Sequence, residues 1–107
     1  MKSYDLYGIS EENLQITAHK VQQALGVQLV VHESSYRGGI YYRRGSDGEE
    51  HFILQRNYDA LEDEWTEAQF SDKSILLYVN ETQRADQIEQ LLLEYVPNII
   101  LLRREVL

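Results

Sequence analysis

The chain of 107 residues has no cysteine, a single proline, a single methionine and a single tryptophan. Without cysteine there is neither a disulfide framework nor a thiolate metal site, which agrees with a reducing compartment. No apolar run approaches the roughly 20 residues that a bilayer-spanning helix needs. The opening MKSYDLYGIS has no apolar stretch of the secretory-signal kind. These absences set the expectation of a cytoplasmic location and no membrane partner. Basic residues are also scarce, ten Lys and Arg against eighteen Asp and Glu, for a formal charge of −8. Phosphate contacts need Lys and Arg, so nucleic acid is a poor partner and a cationic protein is the natural one.

Motifs of catalysis and metal binding are missing as well. No H-x-H, H-E-x-x-H or EF-hand spacing occurs, and Glu33, Glu49, Glu50 and His51 read as solvated strand ends. Gly38-Gly39 and Gly45…Gly48 match neither a Walker loop nor a dinucleotide fingerprint. Neither pair opens a predicted helix. The first reads as a bulge or strand entry and the second as turn chemistry. No cofactor, metal site or catalytic residue is expected.

What is present is the ordinary apolar content of one globular domain, 43% of residues, so residues 1–107 are expected to fold as a single unit. Residues 2–8 alternate loosely and predict a strand. Ser10 reads as an N-cap followed by Glu11 and Glu12, with Ile9 and Leu14 as a hydrophobic staple. Leu14, Ala18, Val21 and Leu25 recur at helical spacing over 11–25, and Gly26 ends that helix. Residues 27–32 (VQLVVH) predict a strand, 33–37 a turn, and 39–44 and 50–57 a hairpin pair around Asp47-Gly48. Strand 75–79 (ILLYV) follows, then helix 82–95 with Ala85, Ile88, Leu92 and Tyr95 inward and Pro97 as its stop, then strand 99–104. The order β-α-β-β-β-β-α-β predicts an α+β fold: a mainly antiparallel sheet with two helices on one face, a ferredoxin-like variant. The other sheet face is expected to be open or covered by the segment 58–72.

That segment, YDALEDEWTEAQFSD, holds six carboxylates, no Lys or Arg, and the only tryptophan. It is expected to be a long loop or short irregular helix inserted in the domain. Acidic side chains around aromatic anchors suit a cationic partner: rings supply hot spots, and carboxylates steer and pair. The candidate partner-binding residues are Tyr58, Asp59, Glu62, Asp63, Glu64, Trp65, Glu67, Phe70 and Asp72. The solvated-loop reading, with Trp65 pinned to the core, is compatible with this one. Residues 36–44 (YRGGIYYRR) form a basic aromatic patch, read as the intramolecular match of the acidic segment. His32 and His51, with Lys73 or Arg56, are the best candidates for acid–base chemistry, which makes a small hydrolase or nuclease the alternative. A homo-oligomeric ferredoxin-like module pairing through its open sheet face is a third reading.

In SSYRGGIYYR, EEHFILQRNYDALEDEWTE and LLRREVL the chain resembles the immunity proteins of bacterial toxin–immunity systems, notably those of contact-dependent growth inhibition. The resemblance implies a non-enzymatic cytosolic inhibitor that binds its cognate toxin domain, often a nuclease with a basic cleft. An acidic surface would then occlude that cleft.

Overall fold

The computed structural model describes residues 1–34 and 39–107. The bulge expected at Gly38 lies outside them, as do Tyr36 and Arg37 of the basic patch. The elements are β1 (Ser3–Ile9), α1 (Leu14–Leu25), β2 (Val30–Ser34), β3 (Gly39–Arg44), β4 (His51–Arg56), β5 (Tyr58–Asp59), β6 (Glu64–Trp65), β7 (Ile75–Thr82), α2 (Ala85–Tyr95) and β8 (Ile99–Val106). Six strands form one sheet in the order β2-β3-β4-β7-β1-β8, and β5 pairs with β6 separately. Each neighbouring pair in the six-stranded sheet is antiparallel. The α+β class, the two helices and the antiparallel sheet are therefore as the sequence predicts.

Alternation sorts the strand side chains between two faces. Tyr7, Ile9, Leu54, Ile75, Leu77 and Val79 join Leu14, Ala18, Val21 and Leu25 of α1 and Ile88 and Leu92 of α2 in one buried cluster. Burying an aliphatic side chain of this size contributes about 1.5–3 kcal/mol, so this layer is the main source of stability. Leu6, Ile53 and Leu76 are buried too, but point to the opposite face and stand outside that cluster.

The helix ends differ from expectation. Asn13, rather than Ser10, caps α1: its Oδ1 accepts the Ile16 amide at 2.9 Å. Ser10 instead continues the sheet, donating its amide to the Asn98 carbonyl at 3.1 Å. Strand pairing has thus claimed the residue that local sequence offers as a cap. Gly26 closes α1 at φ 67, a left-handed position that suits glycine. α2 begins at Ala85 rather than 82, because the segment before it is drawn into β7. Tyr95, expected inward, is exposed.

β8 is tied to the body by Arg104. Its guanidinium donates to both oxygens of buried Asp5 (2.9 and 2.8 Å), to Asp86 at 3.1 Å and to Glu89 at 3.0 Å. These bonds raise the Arg104 pKa, the Asp5 hydrogen bonds most of all. They join β1, β8 and α2 at one point.

Candidate functional site

The segment 58–72 is a built structure, a small β5–β6 hairpin followed by a 3-10 turn at Ala68–Phe70, in place of the expected loop or irregular helix. Its organiser is Asn57, fully buried at the end of β4. The Asn57 amide nitrogen fans out to the carbonyls of Glu67 (3.4 Å), Phe70 (3.0 Å) and Lys73 (3.0 Å). Its Oδ1 accepts the Glu67 amide at 2.8 Å. One side chain therefore satisfies backbone groups along the whole return path, where a buried unpaired carbonyl would be costly.

Glu67 fastens the segment to the second sheet face. Its carboxylate accepts from the Tyr78 hydroxyl at 2.6 Å and from Arg103 of β8 at 3.4 and 3.5 Å. The Gln55 amide reaches the Thr66 hydroxyl at 3.5 Å beside it. Of the two states foreseen for this face, the covered one is found over β4, β7 and β8. Asp59 is buried as well, and its Oδ1 accepts the Leu61 and Glu62 amides at 2.9 and 3.1 Å. This Asx turn makes Asp59 an internal brace.

The nine candidate residues therefore divide. Asp59 and Glu67 are engaged inside the protein, and Phe70 is half-buried. Tyr58, Glu62, Asp63, Glu64, Trp65 and Asp72 are exposed. Tyr58 and Trp65 face each other across the hairpin, edge to face, with ring centroids 5.1 Å apart. Each ring keeps about two-fifths of its surface in solvent, 38% and 40%. Trp65 is thus no core anchor; it is displayed. The Tyr58 hydroxyl bonds to Asp63, which raises the phenol pKa. Asp63 sits at φ 54, a left-handed turn position that Asp tolerates better than most residues. Asp72 meets Lys73 at 3.4 Å. No ion pair to Glu62 or Glu64 exists among the described residues, so their charge is directed outward.

Arg43 of the basic patch turns to its own hairpin and not to the acidic segment. Arg43 donates to the Gly45 carbonyl at 3.0 Å and to Asp47 at 3.0 Å, within its own hairpin. Besides Lys73 at Asp72, the cation that meets the acidic segment among the described residues is Arg103, from the far end of the chain. Neither Asn57 nor Arg103 was singled out from sequence. An Asn at the exit of an apolar strand, just before a charged run, was the one local sign of the former.

The three histidines do not assemble. His19 is exposed on α1. His32 stacks on Tyr41 at 5.4 Å. Its rung passes one position beyond the Tyr42–Leu54 pair, whereas His51 lies three positions to the other side of Leu54. His51 is buried beside the Glu49 carbonyl at 2.8 Å and the Asn80 amide at 3.2 Å, with Glu81 at 3.5 Å. Arg56 donates to the Glu12 carbonyl. A recess of about 420 Å³ between α1 and Tyr42 holds His19 as its lone imidazole. Among the described residues no group of three His, Cys, Asp or Glu side chains is arranged to hold a metal ion. Among them, too, no helix is long and apolar enough to cross a membrane.

No protein-family model matches the chain, and no curated protein matches it either.

Proposed function

We propose that this protein is a binding protein whose exposed acidic hairpin grips a cationic macromolecule, and that it acts as an immunity protein neutralising a basic toxin domain, most simply a nuclease. The observation that carries this is the hairpin itself. Tyr58 and Trp65 stand exposed as a ring pair, rimmed by Glu62, Asp63 and Glu64, on a base braced by Asn57, Asp59 and Glu67. Outward charge on a braced mount loses little backbone entropy on binding. The carboxylates would sit where a nuclease holds its substrate phosphates, and the rings would supply the buried anchors. The fold reading that goes with this is a ferredoxin-like core, supported by the run β8-β1-β7-β4 with a helix after β1 and after β7. The β2–β3 hairpin is then an addition between α1 and β4.

The test is growth rescue and binding with the product of the adjacent reading frame. Co-expression of this chain is expected to relieve the toxicity of that product, and titration calorimetry to give a tight complex. Reversal of Glu62, Asp63 and Glu64 together to Lys is expected to weaken the complex about 100-fold or more, from a few kcal/mol of like-charge repulsion. The unfolding midpoint should fall only slightly, through the lost Tyr58–Asp63 bond and the turn position of Asp63, since none of the three side chains holds the core. Full rescue and unchanged affinity in the triple variant would remove this surface from consideration.

A further inference from the structure

Resting on the role proposed above for the hairpin, we infer that the Tyr58–Trp65 ring pair is the seat of an arginine side chain of the protein partner. The guanidinium lies flat on a ring face and turns its edge N–H groups to Asp63. The rings carry this inference because they stand on the side that hydrophobicity alone would not choose. β5 and β6 pair Tyr58 with Trp65 and Asp59 with Glu64. Alternation sends the two members of each strand to opposite sides. Asp59 is the member that is buried, at 6% exposure, while both rings are turned to solvent. Apolar burial favours the reverse arrangement, and a one-residue slip of the strands would produce it. The register is pinned against that slip. Asp59 holds the Leu61 and Glu62 amides, and the Thr66 amide donates to the Asn57 carbonyl at 2.8 Å. The fold thus buries a carboxylate and displays two aromatic rings.

The displayed rings have free faces. An edge-to-face contact, here at 65° between planes, covers one face of one ring and leaves the remaining faces open. Among the described residues no Lys or Arg lies over either ring.

Charge selects the occupant. The Tyr58 hydroxyl is bonded to Asp63, which sets a carboxylate at the rim of the ring pair. An apolar side chain docked there would dehydrate that carboxylate without pairing it, and an anion would be repelled. A cation meets both the ring face and the carboxylate. Of the two cationic side chains, arginine fits better. Its planar guanidinium stacks on a ring with its edge donors still free, whereas an ammonium is compact and more strongly hydrated. The indole is also the ring that holds a cation best.

Trp65 is the only tryptophan and therefore reports on its own surroundings. Its emission in the intact chain is followed during titration with a capped oligo-arginine peptide, and with lysine and citrulline peptides of equal length. The arginine peptide is expected to change the emission saturably and to bind about fivefold more tightly than the lysine peptide, with no saturation by citrulline. In calorimetry, Trp65→Leu should bring the arginine affinity down to the lysine level, and Trp65→Phe should keep part of the preference. Equal affinity for arginine and lysine in the unaltered chain, binding without a change in emission, or a Trp65→Leu variant that keeps the preference overturns the inference. Growth rescue tells its failure from that of the immunity role. A chain that rescues growth but shows no arginine preference sinks the arginine seat alone. A chain that neutralises no toxin but shows the preference sinks the immunity role alone.

Discussion

Several single side chains each bind more than one partner, and Glu50 shows how pH acts on them. The hydrogen bonds from Arg84, at 2.7 to 3.2 Å, hold its carboxyl below the usual value; burial opposes them, and the Thr82 hydroxyl at 2.7 Å adds to them. A carboxyl with a lowered folded-state pKa adds stability that is complete above its unfolded value. That stability fades as the pH falls through the folded value. Glu50→Gln is therefore expected to cost stability at neutral pH and progressively less on acidification. Denaturant titrations of both proteins across the acid range should converge at the low end; parallel curves would deny the coupling. The effect is a fraction of a buried pair's, because water still reaches Arg84 and Glu50.

At the scale of elements, the acidic segment is the piece whose structure is least local. β5 and β6 are two residues each, too short to persist as an isolated hairpin. Asn57, through its three carbonyl contacts, and Glu67, through Tyr78 and Arg103, supply the missing stability. Asn57→Ala strands buried carbonyls and is expected to cost about 2–3 kcal/mol in urea unfolding, with faster proteolysis within 58–72. Since the exposed rim would no longer be preorganised, partner affinity should fall as well. A variant with wild-type unfolding would mean that the segment is held by other contacts. The helices are simpler. Leu14, Ala18, Val21 and Leu25 fall on one side of α1 by spacing alone, as do Ile88 and Leu92 on α2, and all six are buried.

For the whole molecule, the layers differ in how many neighbours each strand has. β7 and β1 lie inside the sheet with helices on one side, and β4 and β7 carry the acidic segment on the other. β2 pairs with β3 alone in the sheet, and four of its five residues are exposed. Amide exchange is expected to be slowest in β7 and β1 and orders of magnitude faster in β2. Uniform protection across all six strands would contradict this ranking. The same contrast separates an acidic hairpin braced by Asn57, Asp59 and Glu67 from an exposed wing at β2.

By itself, the sequence determined the α+β class with two helices and a mainly antiparallel sheet, most of the two helix faces, the Asp47-Gly48 hairpin and the concentration of negative charge at 58–72. Periodicity and turn chemistry are local, so they survive in the chain without its fold. Tertiary structure alone decided the rest. Sheet pairing at Ser10 moved the helix cap to Asn13, and antiparallel closure brought Arg103 onto Glu67 across 36 residues. Only the folded chain could divide the six carboxylates of 58–72 into those that brace and those that face outward. Asp59 and Glu62 carry the same charge, yet Asp59 is buried with its Oδ1 on the Leu61 and Glu62 amides while Glu62 is exposed.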